Sequence, residues 1–322
     1  MKVLVTGGAG YIGSTLVKEL LKQGYFVRVV DCLKWGGEAL SGFFANPQFE
    51  FIKGDLRKED VRKRALIGAD AVIHLAAIVG DPACKKEPEL AEEVNWRASK
   101  SIFDLAGRVG VKRFIFASTC SNYGRMPDAD RYLDEESVLN PISLYAKLKV
   151  KFEKYILEEK LNPLVVTSLR FATAYGVSMR MRFDLTVNEF VKEVFFDREL
   201  VVYGEKFWRP YCHVEDLAKA CVCVLGTDKK LVQREVFNVG DTRENYQKQM
   251  IVDLIKRRFP RMKVRFVPKD EDPRDYRVDF GKIKNKLKFQ IARRLEDGID
   301  EVMQLLGRGE LKNPDNSSYR NI

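Results

Sequence analysis

The chain has 322 residues, 45% hydrophobic and 32% charged, a composition that suits one large globular domain or one and a half. Its formal charge is +10, but Lys and Arg are interleaved with Asp and Glu, so the excess reads as solvated faces and attraction for a small anionic substrate rather than for nucleic acid. No apolar run approaches the ~18 residues of a membrane span. Six scattered cysteines without a C-x-x-C pattern and only two histidines argue against a metal site and for reduced thiols in a cytoplasmic protein.

Val3-Leu4-Val5 is a short apolar run without helical period, the pattern of a strand buried on both faces. Gly7, Gly8, Gly10 and Gly13 follow, and Ser14 to Gln23 then reads as an amphipathic helix carrying Leu16, Val17, Leu20 and Leu21. Gly8-Ala9-Gly10-Tyr11-Ile12-Gly13 satisfies G-x-G-x-x-G. Strand, glycine turn and helix N-terminus together make an anion site, because backbone N–H groups approach a diphosphate closely there and the helix dipole favours it. A second apolar run, Phe26 to Val30, ends at Asp31. An acid at that point accepts from a ribose 2′-hydroxyl and repels a 2′-phosphate, so the expected cofactor is NAD rather than NADP.

The pattern then predicts strands over Phe49–Lys53, Ala71–Leu75, Arg113–Ser118 and Leu164–Arg170. Helices are expected over Leu56–Leu66, Pro88–Gly110 and Leu144–Lys160. Repeated βα units argue for an α/β fold with a Rossmann-type doubly wound parallel sheet, whose ligands bind beyond the strands' carboxyl ends. Asp31, Asp55, Ala76-Ala77, Ser118-Thr119 and Phe171 to Thr173 fall at those ends. After Arg170 the rhythm breaks. Helices are expected at Asp184–Asp197, Val214–Leu225, Tyr246–Phe259 and Leu295–Leu306, with short strands at Leu200–Tyr203, Val236–Val239 and Val264–Val267. A charged loop runs from Lys269 to Tyr276, and the polar tail Gly307–Ile322 reads as loosely ordered. The expected division is a cofactor domain over 1–171 and a smaller mixed α/β substrate domain over 172–322, with segments around 207–240 returning to the first.

Tyr145 and Lys149 stand four apart on one predicted helix and so share a face. A lysine so placed stabilises phenolate and prepares the tyrosine to exchange a proton with a sugar hydroxyl or ketone. Upstream, Ser118-Thr119-Cys120-Ser121-Asn122-Tyr123-Gly124 places hydroxyls at a strand end, where one can polarise the same oxygen.

With these pieces assembled, the chain resembles the extended short-chain dehydrogenase/reductases, the NAD-dependent nucleotide-sugar epimerase/dehydratase family. The likeness covers nearly the whole length. It rests on Thr6 to Gly13, Gly54-Asp55-Leu56, His74-Leu75-Ala76-Ala77, Asn95, Ser118 to Gly124, Tyr145 with Lys149, Leu169-Arg170 with Tyr175-Gly176, and Arg209 to Leu217. The resemblance implies that Gly7, Gly10, Tyr11, Ile12, Gly13 and Asp31 bind NAD and that Asp55 and Leu56 hold its adenine. Leu75, Ala76, Ala77 and Ser118 would line its path, and Asn95 would sit under it. Tyr145 would transfer the proton, Lys149 would also grip the nicotinamide ribose, and Thr119 would take the catalytic Ser/Thr place. Thr173, Arg180, Asn188, Tyr203, Arg209 and Arg274, with Thr119, would meet a nucleotide-diphosphate sugar.

Departures from the family's patterns bear on the reaction. The 4,6-dehydratases carry Asp-Glu directly after the catalytic Thr; Cys120 and Ser121 stand here, so the elimination lacks its acid and base. Thr173 replaces an Asn, and Arg209-Pro210-Tyr211 replaces Arg-Asp-Tyr. The expected activity is oxidoreduction at C4 of a nucleotide sugar, as a 4-epimerase, with a 4-dehydrogenase or ketoreductase as the alternative and a non-catalytic scaffold last. Leu75 to Lys85 and Arg180 to Asn188 are similar to bacterial capsule and lipopolysaccharide enzymes, including GDP-heptose 4-dehydrogenases. Cys120 is a candidate acid/base beside a ketone, or a small filler. His74 reads as a packed histidine and His213 as fixing a helix start. Asp184 reads as a helix cap or a substrate contact, and Arg180 and Arg182 as a phosphate clamp or a solvent face. The family pairs the helices near 88–110 and 144–160 in a homodimer.

Overall fold

The computed structural model describes residues 1–126, 131–159, 161, 164–268, 274–311 and 313–321. The expected helix end at Lys160, residues 269–273 of the charged loop, and tail positions 312 and 322 lie outside them. Twelve strands are described, β1 Lys2–Thr6, β2 Phe26–Asp31, β3 Phe49–Lys53, β4 Ala71–His74, β5 Arg113–Thr119, β6 Val165–Phe171, β7 Thr173–Tyr175, β8 Leu200–Tyr203, β9 Trp208–His213, β10 Glu235–Val239, β11 Asn245–Gln247 and β12 Val264–Val267.

Seven of them form one sheet in the order β3-β2-β1-β4-β5-β6-β10, every pairing parallel. The order reverses between β1 and β4, and the crevice at such a switch point is where doubly wound sheets bind ligands. The apolar runs have no alternation because both faces are covered. Val3, Val5 and Val29 face helices Tyr11–Lys22 and Val214–Gly226, whereas Leu4 and Val30 face a cluster with Phe103, Phe114 and Phe152. The first cluster also includes Cys221, Leu225, Phe237 and Val239. A separate cluster around Phe183, Phe190, Leu200, Ile251 and Ile299 supports the smaller sheets, β11-β9-β7 and β12-β8.

Several elements start later than the periodicity suggests, each for a local reason. The helix expected from Leu56 begins at Glu59, because Asp55 accepts from Arg57 N and makes a turn first. The helix expected from Tyr246 begins at Lys248, because Asn245–Gln247 pairs antiparallel with β9. The long helix expected from Pro88 is α-helical over Pro88–Glu92 and Ser99–Arg108 with a π-helical stretch, Glu93–Ala98, between them. Such a stretch displaces side chains from the α-helical rows and recurs at functional sites. The tail is not loose where it is described. Tyr319 O accepts from Phe183 N at 2.8 Å, and Asp315 pairs with Lys192 and Arg198.

Candidate active site

A cavity of about 580 Å³ opens at the carboxyl ends of β1, β2, β4 and β5. Its floor is the glycine turn. Gly7 adopts φ +74°, and a Cβ there would meet Ala76 N at 2.8 Å; a Cβ on Gly13 would collide with the Gly7 carbonyl oxygen. Gly7, Gly10 and Gly13 line the cavity, whereas Gly8 packs on Val29, so the working spacing is Gly7-x-x-Gly10-x-x-Gly13 rather than the one read from Gly8. Helix Tyr11–Lys22 starts there with no side-chain cap and no acidic residue in its first turn. Its orphan N–H donors are left for an anion.

Asp31 lines the same space and accepts from Ala9 N at 3.0 Å and Leu33 N at 2.8 Å. Burial raises its pKa against those two bonds. Ile12, Asp55, Leu56, Leu75, Ala76, Ala77 and Ser118 also line it. Arg57 engages Asp55 through Nε and Nη2 and holds that carboxyl below its usual range. Asn95 is buried in the π-helical stretch and is not on the cavity wall. Its amide accepts from Ile78 N (2.7 Å) and donates to Ile78 O (2.9 Å), so it fixes the loop that does line the cavity. Tyr11 lines the wall, and its hydroxyl donates to Gly176 O at 2.6 Å.

Thr119, Tyr145 and Lys149 converge on the cavity from β5 and from helix Leu144–Glu158. Ser143 caps that helix by accepting from Ala146 N, which seats Tyr145 in its first turn. Thr119 Oγ1 accepts from Ser121 N at 3.1 Å, so its own proton is available to a ligand oxygen. Lys149 Nζ donates to Ala117 O at 2.7 Å and lies 5.8 Å from the centre of the Tyr145 ring. Burial pushes the Lys149 ammonium down to about 8. Burial also raises the Tyr145 phenol, followed by Cys84 and Asp81, so the phenol is not lowered here as the four-residue spacing suggests. Desolvation outweighs a cation that is aimed at Ala117 O.

Cys120 stands away from this group. It is buried, its Sγ donates to Arg170 O at 3.2 Å, and burial holds the thiol well above its ordinary pKa. Thr173 and Arg274 line the cavity, Arg274 in a 3.0 Å ion pair with Asp81. Arg209, Asn188 and Tyr203 are not on its wall. Arg209 is buried against the Tyr276 ring and donates to Trp208 O. Asn188 is fully buried and ties together Gly176, Tyr11 and Arg182. Tyr203 is 57% exposed on β8. Arg180 and Arg182 are both buried on the wall rather than facing solvent. Asp184 does not cap the following helix. Burial alone would raise it, but the fork of Arg182 at 2.9 and 2.7 Å outweighs that and holds it low.

The two histidines serve packing. His74 is bonded to Thr6 Oγ1 and Ser99 Oγ and pushed by burial down to about 3. His213 accepts from Glu215 N and meets Glu301 at 2.7 Å. The sequence reading missed Trp35, Asp81, Tyr276 and Asn321 as wall residues. Asp81 stood inside the quoted Leu75 to Lys85 stretch, where Gly80 precedes it at φ +94°; the other three carry no local signal.

This is a dinucleotide-binding α/β enzyme site, and its uncapped helix N-terminus, close-approach glycines and Asp31 suit NAD. Residues 3–240 match the model of the NAD dependent epimerase/dehydratase family, and the chain belongs to that family. It is 30% identical over 278 residues to a UDP-glucose 4-epimerase of Lactobacillus helveticus, covering 80% of this chain and 81% of the relative. It is 28% identical to UDP-glucuronic acid decarboxylase 1 of Arabidopsis thaliana, covering 94% and 69%. The crystal structure of a Thermus thermophilus UDP-glucose 4-epimerase in complex with NAD superposes with a TM-score of 0.84 at 26% identity, covering 97% of this chain and all of that one. UDP-glucuronic acid 4-epimerase from Bacillus cereus, in complex with UDP-glucuronic acid and NAD, gives 0.85 at 25% identity, covering 96% and 99%. The chain is an NAD-dependent enzyme of this family. Among the described residues no helix is long and apolar enough to cross a membrane.

Proposed function

We propose that the protein is a nucleotide-sugar 4-epimerase that oxidises C4 of a nucleoside-diphosphate sugar and reduces the resulting ketone from its other face. The observation that carries this reading is the convergence of Thr119, Tyr145 and Lys149 on the cavity that the glycine turn opens onto. Gly7, Gly10, Gly13 and Asp31 would hold NAD, which supplies a reversible hydride acceptor. Burial raises the phenol in the cofactor-free protein. With the cationic nicotinamide of NAD and the Lys149 ammonium beside it, Tyr145 would reach the phenolate that takes the proton from the C4 hydroxyl, and would return that proton to the C4 oxygen of the product. Thr119 donates a hydrogen bond to that oxygen, holding it in line with Tyr145. Lys149 keeps positive charge behind the phenol, which the burial of both side chains makes costly and therefore selective for the bound state. Thr173 and Arg274 would meet the sugar diphosphate, an arginine fork suiting a phosphate.

A dehydratase reading is disfavoured because Cys120 is buried against Arg170 O and its neighbour on the cavity wall is Ser121, not a carboxylate. We also propose a homodimer through helices Ser99–Arg108 and Leu144–Glu158 with the segment before them. There Trp96 and Tyr155, both half-buried, stack edge-on at 5.7 Å.

The test is incubation of purified enzyme with UDP-, GDP-, dTDP- and CDP-sugars, followed by nuclear magnetic resonance for the C4 epimer. A new C4 epimer without net reduced cofactor is expected. Stoichiometric reduced cofactor with released 4-ketose would replace the epimerase reading by the dehydrogenase. Tyr145→Phe should lower kcat about 10²- to 10⁴-fold while keeping cofactor; unchanged turnover would remove Tyr145 from the chemistry.

A further inference from the structure

The segment after β7 lies directly over the start of helix Tyr11–Lys22. Ser178 Oγ donates to Tyr11 O at 2.6 Å and lies 3.1 Å from Ser14 Oγ, while Tyr11 Oη donates to Gly176 O. Two residues further on, Arg180 is only 7% exposed and lines the cavity beside Asp31, with its guanidinium 5.4 Å from the centre of the Trp35 ring. Its hydrogen-bond partners are uncharged. Nη2 donates to Ser318 O at 3.2 Å and Arg320 O at 3.0 Å, and the buried Nε has no partner. Among the described residues no carboxylate lies within ion-pair distance of it, although Asp184 and Asp31 are near enough to favour its charge. The neighbouring Arg182 is neutralised by Asp184. A buried guanidinium with no contact ion pair and an unpartnered Nε is costly, and an anion bound beside it offsets that cost. Burial, with Arg182 next, pushes Arg180 down to about 10.

The carbonyls that hold Arg180 belong to the C-terminal tail, which is anchored on both sides of them. Asp315 binds Lys192 Nζ at 2.6 Å and Arg198 Nη2 at 2.6 Å, and Asn321 N donates to Asp184 Oδ2 at 3.1 Å. The geometry points to Arg180 as a clamp on the diphosphate of bound NAD, held over the glycine turn by the tail, which thereby sets how long the cofactor stays. The cofactor's diphosphate is favoured over the substrate's because Arg180 shares its end of the cavity with the uncapped helix start, Asp31 and Trp35, whereas the substrate is assigned to Thr119 and Tyr145. This deepens the proposed function by assigning what retains NAD between the two half-reactions.

The experiment compares full-length wild type, Arg180→Gln, Arg180→Lys and Asp315→Ala. NAD is quantified in the supernatant of denatured protein, and NAD and UDP are titrated calorimetrically into stripped enzyme. Arg180→Gln should purify with little NAD and bind it about ten- to a hundredfold more weakly, with UDP affinity unchanged. Arg180→Lys should fall between it and wild type. Asp315→Ala, which touches no cavity residue, should weaken NAD several-fold, and a melting curve taken with NAD shows whether it is folded. Wild-type NAD content and affinity in both Arg180 variants would overturn the clamp, as would lost UDP affinity with NAD retained. Unchanged NAD affinity in folded Asp315→Ala would overturn the tail's part. None of these readouts uses turnover, so a wrong reaction assignment would leave them standing.

Discussion

The two walls of the cavity are built differently. The floor of the cofactor side comes from one βα unit, in which β1, the glycine turn and the start of helix Tyr11–Lys22 are contiguous in sequence. Much of the rest of the lining is assembled from Asp81, Thr119, Tyr145, Thr173, Arg182 and Arg274 with Asn321 from the tail, each delivered by a separate element. A contiguous unit has one local geometry and tolerates no added atom. A wall assembled from many segments depends on the buried bonds that tie those segments together.

Gly13→Ala tests the first half of this comparison and should have the largest effect. Its Cβ would collide with Gly7 O and sit 2.7 Å from Gly8 Cα, and neither is a flexible side chain. The turn must open, and NAD should be lost from the purified protein together with activity. Full cofactor occupancy in Gly13→Ala would show that the turn is not the floor of the site.

Lys149 joins the two walls, and its burial makes a pH prediction. Its folded-state pKa, about 8, lies below its unfolded value. Between those values the unfolded chain binds the extra proton, so stability rises with pH through that window. The wild type without cofactor should gain roughly 3 kcal/mol relative to Lys149→Met between about pH 8 and 10.5, read by urea unfolding at a series of pH values. Parallel curves for the two proteins would mean that the ammonium is not desolvated.

The contrast between the walls also explains what was legible in the sequence. The apolar runs, the glycine spacing and Asp31 announce strand, turn and helix because each signal lies within one unit. The Tyr145 and Lys149 pair is legible because one helical turn joins them. Arg209, Asn188 and Tyr203 looked like ligand residues by motif position, yet the fold puts Arg209 behind Tyr276, buries Asn188 and exposes Tyr203. Asn321 gave no signal at all, because a polar tail shows no period and its order comes from distant partners such as Asp184 and Lys192. The lowered phenol expected for Tyr145 is not met in the cofactor-free protein for a related reason. Residue spacing reports which side chains are neighbours, but not where Lys149 Nζ points or how much water is removed.

Asn188 tests the second half. Its amide accepts from Gly176 N at 3.0 Å and donates to Arg182 O at 2.9 Å, joining β7's end to the segment that carries Arg180 and Arg182. Asn188→Ala leaves those groups buried without partners and should cost about 1–3 kcal/mol, read as a lowered midpoint in urea. A rise in the KM for sugar nucleotide at unchanged stability would instead make Asn188 a substrate residue.

Tyr203 should have the smallest effect. It sits on β8, more than half exposed, in a two-stranded pair with β12 that contributes no residue to the cavity wall. Tyr203→Ala removes surface area that is already largely in water, so stability should move by less than about 0.5 kcal/mol and KM should not move. A severalfold rise in KM for the nucleotide sugar, with kcat unchanged, would mean that the base of the substrate reaches β8. The segmented wall would then extend beyond Arg274, and its outer end would form only around ligand.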